Sequence, residues 1–443
     1  MALGGGSFLV QNKVLPGSYI NFVSAARASA ALSDRGTATM PLELDWGEEG
    51  KIFEVTSEDF QKNSLAIFGY PYTHEKLKGL RDLFLNAQTL YAYRLNKGVK
   101  AANEFAVAKC GGTRGNDIRI VIAKNADDSS KFDVTTMLGV DSADVQTVAS
   151  AAELEDNGLV SFKKDAVLAV NAGAPLAGGE NGEITGACYQ DYLDKIEAYS
   201  FNTMGAVVTD ETTKGLFTAF CKRMRDEVGA KFQLVLYNKN ADYSGVISVK
   251  NKCVDGAVKS DEGMVYPNEA ALVYWVTGAE AGCAVNKSIQ NKRYDGEFTP
   301  DTEFTQNELI AAIKAGEFVL HRVNSDIRVL EDINTMVTVS DTQGEIFKDN
   351  QTMRVCDQIA NDIAVLFNTK YLGVVPNDNA GRVSLWSDIV NHHRQLNDIR
   401  AIENFSESDI VVAQGDSKKS VVVSDAVTVV NAMAKLYMTV TVS

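Results

Sequence analysis

The residues best suited to chemistry in this chain are few and badly spaced for it. There are four histidines, at 74, 321, 392 and 393, and six cysteines, at 110, 188, 221, 253, 283 and 356. His392 and His393 are adjacent, so on a helix they point about 100° apart and cannot copy the i, i+4 pair of a His-x-x-x-His metal site. They are expected on a partly exposed helix face. His321 lies in the alternating run Phe318–Val323, as a strand residue, and His74 falls in the first turn of a helix. No two cysteines form Cys-x-x-Cys, which reads as free, mostly buried thiols. Gly111-Gly112-Thr113-Arg114-Gly115 lacks the Gly-Lys-Ser/Thr end of a phosphate loop, and Gly178-Gly179-x-x-Gly182 does not fit the dinucleotide fingerprint Gly-x-Gly-x-x-Gly. Both read as turns. Asn377-Asp378-Asn379-Ala380-Gly381 resembles the start of a calcium loop, but Asp388 or Ile389 stands where the closing Glu is required, so a surface turn after Pro376 is expected. No Gly-x-Ser-x-Gly elbow occurs. The expectation is therefore no catalytic residue, no cofactor-binding residue and no metal ligand.

The most informative segments are the two ends. Leu436, Met438, Val440 and Val442 alternate with Tyr437, Thr439 and Thr441, the period-2 pattern of a half-buried strand, and the pattern runs to the last residue. Val14, Leu15, Tyr19, Ile20 and Phe22 form a matching apolar set near the start. Unpartnered apolar strands are an aggregation hazard unless a sheet receives them. Both ends are expected to pair with something, another copy of the chain being one candidate.

Between the ends the texture changes by region. After an N-terminal arm (1–23), residues 24–96 read as a small α/β unit. Ala38, Met40, Leu42 and Leu44 mark a strand, Thr73 caps a helix carrying Leu77, Leu80 and Phe84, and residues 90–95 form another strand. Residues 97–184 carry short strand-like runs at 106–109, 118–122, 132–134 and 166–170, the spacing of a β-sandwich. Residues 185–340 alternate apolar strands (205–208, 232–236, 246–249) with helices, which reads as a mostly parallel sheet covered on both faces. Residues 341–431 form an α+β region with a helix after Asp349-Asn350, a second from about 384 to 398, and strands at 409–412 and 421–430. The C-terminal arm strand occupies 432–443.

Composition sets outer limits. With 443 residues, more than one domain is expected. The formal net charge of -15 argues against nucleic-acid binding, which needs clustered Lys and Arg. No run approaches the ~18 apolar residues of a membrane span, and no secretory signal is visible, so a cytoplasmic origin is expected.

The terminal and junction motifs carry a family resemblance. Leu15-Pro16-Gly17-Ser18-Tyr19-Ile20-Asn21-Phe22, Asp45-Trp46-Gly47, the junction from Gly178 to Gly182 leading into Tyr189-Gln190-Asp191-Tyr192, and the run from Val430 to Val440 resemble the tail sheath proteins of contractile phage tails, phage-like particles and R-type bacteriocins. The resemblance extends over essentially the whole chain. It implies a β-sandwich insertion, a non-catalytic middle domain of subtilisin-like topology, an α+β C-terminal domain and extended terminal β-arms that add strands to neighbouring subunits. It also implies a homo-oligomeric helical sheath around a tail tube protein, with baseplate and terminator proteins as further partners and neither nucleic-acid binding nor membrane insertion. Such a sheath contracts to drive the tube through a cell envelope. It is assembled in the host cytoplasm and leaves in the tail of the released particle. Arg382, Arg394 and Arg400 bracket the helix that matches the family's tube-facing helix, and Gly17 and Ala432 are the expected flexible points. The residues alone leave two alternatives open: an α/β enzyme of unread mechanism, or another particle protein such as a tube or capsid subunit.

Overall fold

A computed structural model of the protein describes residues 32–260 and 263–442. The N-terminal arm residues Val14, Leu15, Tyr19, Ile20 and Phe22, and Gly17, lie outside the described residues. Two compact units are present: 34–358 with 429–442, and 32–33 with 359–428.

The larger unit is built on one seven-stranded sheet. Its strand order is Glu317–Phe318, Val246–Val249, Gln233–Tyr237, Thr203–Ala206, Thr37–Leu42, Thr89–Arg94 and Ile52–Thr56. Every neighbouring pair is parallel except the last, which is antiparallel. The strands expected in the 24–96 unit and those expected in the 185–340 domain therefore share one sheet, and the two groups meet where Thr37–Leu42 pairs with Thr203–Ala206. Successive side chains on a strand point to opposite faces. Leu234 and Leu236 accordingly join one core with Tyr192, Met204 and Phe217, while Val235 joins a second with Met40, Leu90 and Trp275. Thr39 sits on an interior strand, Thr37–Leu42, fully buried. Its hydroxyl donates to Tyr91 O at 2.8 Å and meets the Tyr192 hydroxyl at 2.8 Å, so the polar group is satisfied.

Helix Leu272–Gly282 covers one face of the sheet and packs on helix Lys78–Phe84. Close approach rests on Gly278, where an added Cβ would overlap Leu83 O. Overpacking costs about 1–3 kcal/mol, set against a helix-propensity gain of about 1 kcal/mol. Gly278→Ala is therefore expected to lower stability by about 1–2 kcal/mol. A chemical-denaturation midpoint equal to or above that of the parent would contradict this packing.

The 3-10 turn Glu75–Leu77 precedes helix Lys78–Phe84, and its N-cap is His74 rather than Thr73. The imidazole Nδ1 accepts from Lys76 N at 3.2 Å. Helix Ser57–Phe68, which the apolar spacing did not single out, is capped by Thr56.

The inserted domain is a β-sandwich. A four-stranded antiparallel sheet (Asn171–Pro175, Ile118–Lys124, Phe132–Leu138, Asp141–Val148) packs with the pair Ala106–Ala108 and Val160–Phe162 around Ile118, Ile120, Ile122, Val134 and Phe162. The run at 166–170 is not a strand. Val167 and Val170 are exposed, and Asn171–Pro175 holds the edge of Ile118–Lys124 instead.

Both Gly-rich motifs meet where this domain joins the sheet domain. Gly98–Val99 pairs antiparallel with Glu180–Asn181. A Cβ on Gly179 would lie 2.6 Å from Gly112 O, and one on Gly112, whose φ is +117°, would overlap Asp45 O. Buried Arg94 donates to Gly111 O at 2.9 Å and Gly47 O at 3.2 Å. The glycines are there so that backbones can touch.

In the smaller unit, helix Asn379–Asp398 and the hairpin Ile410–Gln414/Val421–Asp425 enclose Leu366, Tyr371, Leu385, Ile389 and Val390. The helix begins earlier than the apolar spacing predicts. Asp378 is its N-cap and accepts from Gly381 N at 2.8 Å, so Asn379–Gly381 is a helix start rather than the expected surface turn.

Candidate assembly arm and its surroundings

The C-terminal segment leaves the larger unit at a defined point. Buried Gln351 and Thr352, in the first turn of helix Asn350–Leu366, hold residues 430–432. Beyond Ala432 no hydrogen bond ties the segment to any described residue, and 431–442 carry no strand pairing among the described residues. The alternating apolar set faces water: Leu436 is 86% exposed, Met438 75%, Val440 68% and Val442 89%. Burying each such side chain is worth about 1.5–3 kcal/mol. The segment therefore carries unspent hydrophobic free energy on one face and an unpaired backbone on both edges.

A second exposed edge lies in the smaller unit. Among the described residues, strand Val421–Asp425 pairs only with Ile410–Gln414, in the register Val423↔Val412. Val411 and Val422 are more than half exposed, and Val423 is 39% exposed.

The three arginines differ in occupation. Arg382 is half-buried in the first turn of helix Asn379–Asp398 and donates to Asn377 O and Oδ1, both at 3.1 Å. Arg394 is exposed and paired with Glu407. Arg400 follows the helix in a left-handed conformation (φ +60°), exposed and in no ion pair among the described residues.

His392 and His393 are buried, at 1% and 0% exposure, not on a partly exposed face. His392 Nε2 lies 3.0 Å from Asp362, and His393 Nε2 lies 2.9 Å from Asp425. Neighbours pack against the helix from both directions, so residues 100° apart are covered together. His321 occupies strand Leu320–Val323, opposite Arg328.

A cluster of strongly perturbed titratable groups is sealed inside the larger unit. Arg354 donates to Glu280 Oε2 at 2.6 Å, Asp332 Oδ2 at 3.2 Å and Lys287 O at 2.6 Å. Asn350 Nδ2 donates to Asp332 at 3.0 Å and Glu280 at 3.3 Å. Burial, then the Asp332 charge, pushes the Glu280 carboxyl up to about 8, while Arg354 and hydrogen bonds hold Asp332 below the usual range against its own burial. Glu280, Asp332, Asn350 and Arg354 are each at most 2% exposed, so the cluster opens into no cleft. A cavity of about 510 Å³ does lie beyond the carboxyl end of strand Thr203–Ala206, lined by Lys76, Lys78, Tyr189, Asp210 and Tyr274. Its lysines are already paired, Lys76 with Asp45 and Lys78 with Asp255. Among the described residues, all six cysteines are free, no group of three or more His, Cys, Asp or Glu could hold a metal ion, and no helix is long and apolar enough to cross a membrane.

The arm was visible in the sequence as an alternation. Gln351 and Thr352 were not, because a Gln and a Thr in the first turn of a helix carry no signal of a distant backbone partner.

Four family models tile the chain: the tail sheath protein Gp18 domain III N-terminal region over 35–95, the phage tail sheath β-sandwich domain over 96–181, the central domain over 182–335 and the C-terminal domain over 342–443. The sheath tail protein of Desulfitobacterium hafniense is similar at 39% identity, over 90% of this chain and 93% of its own, with a TM-score of 0.78. The phage-like element PBSX protein XkdK of Bacillus subtilis (strain 168) is 31% identical over the full length of both chains. The anti-feeding prophage helical sheath in its contracted state shares the fold (TM-score 0.55, 97% of this chain and 99% of that one) at 13% identity. The chain therefore belongs to the phage tail sheath protein family, and it is a structural subunit of a contractile sheath, not an enzyme.

Proposed function

We propose that copies of this chain polymerise helically around a tail tube by exchanging terminal β-strands, and that contraction of the lattice drives the tube through a cell envelope. The observation that carries this reading is the unpartnered apolar alternation of 436–442 in a chain that also offers an open strand edge at Val421–Asp425. A strand that leaves one subunit and joins the sheet of the next is β-augmentation. Head-to-tail exchange does not close on itself, so it builds a helix. Val14, Leu15, Tyr19, Ile20 and Phe22 form the second arm in this reading, and Leu436, Met438, Val440 and Val442 insert their side chains as the first. The seven-stranded, mostly parallel sheet with cores on both faces supports a subtilisin-like middle domain that has lost any catalytic purpose.

Arg382, Arg394 and Arg400 are the tube contact in this reading; among the described residues Arg394 is held by Glu407, while Arg382 bonds only Asn377 and Arg400 makes no ion pair. A tube protein, a baseplate and a terminator complete the set of partners, with assembly in the host cytoplasm and release in the tail of the particle. Electron microscopy of the purified full-length protein tests the proposal. Wide hollow helical tubes are expected. Thin tubes or closed shells would point to another particle protein, and monodisperse particles under every assembly condition would overturn helical polymerisation.

A further inference from the structure

The way Gln351 holds the arm root is specific. Its side chain is 3% exposed. Nε2 donates to Val430 O at 2.9 Å, and Oε1 accepts from Ala432 N at 3.0 Å. The N–H and C=O of one residue in a parallel ladder bond the residues before and after its opposite number in this same pattern. The Gln351 carboxamide thus stands in for a strand, with Asn431 at the centre of the mimicked pair. Thr352 Oγ1 donates to Asn431 Oδ1 at 3.3 Å and fixes that central residue from the side. The next residue, Met433, is fully exposed and bonded to nothing described.

We infer that Gln351 is a clasp that sets the point at which the C-terminal arm departs from its subunit, with the pivot after Ala432 rather than at it. The inference rests on the proposed exchange of that arm with a neighbour. The clasp matters because the free length of a tether sets the effective concentration of its end at the acceptor. A fixed root also gives every subunit the same arm length, which a regular lattice requires. Helix Asn350–Leu366 is a stiff base for it: Arg354, one turn on from Gln351, is tied to Glu280, whose carbonyl accepts from Arg35 at 3.2 Å. The root of the C-terminal arm and the chain segment just after the N-terminal arm are therefore referred to one buried cluster.

The test uses full-length protein carrying Gln351→Met, which keeps side-chain length and removes both bonds, and Gln351→Glu, which keeps the acceptor and removes the donor. Hydrogen exchange of the Ala432 amide is expected to speed up roughly tenfold in Gln351→Met. The change should be smaller in Gln351→Glu, with the protection of strand Gln233–Tyr237 unchanged in both. The protein concentration needed for tube formation should rise about fivefold or more in Gln351→Met, the effect of losing about one hydrogen bond's worth of positioning. Parent-like Ala432 protection, or tubes forming at the parent concentration, would overturn the clasp. The two readings fail separately. Tubes from a chain lacking 435–443 would overturn arm exchange itself. A truncation that blocks assembly beside a Gln351→Met that assembles normally would overturn the clasp alone.

Discussion

Removing Lys435–Ser443 is expected to leave a folded monomer that builds no tubes. The two halves of this result have different origins. Folding should survive because 433–442 make no hydrogen bond to the described residues and the four apolar side chains are 68–89% exposed, so their loss removes no packing. A thermal midpoint within about 1 °C of the parent is the corresponding measurement. Assembly should fail because the arm's contribution is small per copy and indispensable in sum. About eight ordered residues cost ~8–16 kcal/mol of conformational entropy. Four buried side chains return ~6–12 kcal/mol, and ~4–8 backbone hydrogen bonds return ~1 kcal/mol each. The net is a few kcal/mol per arm, which holds only when many arms act on one lattice. Sedimentation and microscopy on the truncated chain read the outcome directly. Tubes of normal length would mean that the subunits are joined by some other surface.

Arg354→Met should be the most destabilising single substitution in the buried cluster, while Glu280→Gln beside it should be tolerated. Arg354 is the cation between two buried acids, at 2.6 Å from Glu280 and 3.2 Å from Asp332. Its removal leaves Asp332 charged, buried and uncompensated, a change that costs about 3–5 kcal/mol. A drop in thermal midpoint of roughly 5–15 °C at neutral pH follows. Glu280 is different because it holds the proton of the pair, its carboxyl being pushed up to about 8 from an ordinary 4.5. A carboxyl whose folded pKa is raised binds more protons folded than unfolded between those two values. Its contribution to stability is then complete below about pH 4.5 and is lost as pH climbs through about 8. Asp349, pushed up to about 6 mainly by burial, acts in the same direction over a narrower window that ends lower. Glutamine at 280 keeps an acceptor for Arg354 and supplies the donor that the protonated acid had. Glu280→Gln should therefore match the parent at pH 5 and exceed it at pH 9. Equal pH profiles for the two proteins would show that the proton resides elsewhere in the cluster.

The sequence revealed the sheet-forming segments more readily than their assembly into one sheet. The apolar runs 232–236 and 246–249 read as buried strands, and the strands found are Gln233–Tyr237 and Val246–Val249. That Thr37–Leu42 lies inside the same sheet was not legible. Its nearest parallel partners include Thr203–Ala206, with the whole inserted sandwich between them in sequence, and Thr39 looks like a solvent-facing residue until Tyr91 and Tyr192 are seen to satisfy it. The histidine pair at 392–393 was misplaced for a related reason. Periodicity reports one apolar face, and this helix is covered over a wider arc, with carboxylates at Asp362 and Asp425 meeting the polar members. The apolar alternation of 436–442 was legible because its signal is local and needs no partner in the chain to be recognised. The bonds from Gln351 to Val430 O and Ala432 N were hidden, since they are a property of position alone. The two Gly-rich motifs read as turns in the sequence; their backbone contact at the junction of two domains required both motifs to be seen together.

That junction has one more implication. The chain enters the sandwich through Gly98–Val99 and returns through Glu180–Asn181, two segments paired side by side at the ordinary ladder spacing of about 5 Å. An entire module is thus spliced into the molecule at what is, geometrically, the mouth of a hairpin. Its removal would need a short turn across that mouth and new cover for Trp46 and Arg94, which pack against it, while the sheet from Thr37 to Phe318 would keep every strand. Both ends of the sandwich thus lie at one point on the molecule. A foreign domain whose own ends lie close together could be grafted at 99 and 180 and carried at every lattice position, turning the sheath into a regularly spaced display scaffold.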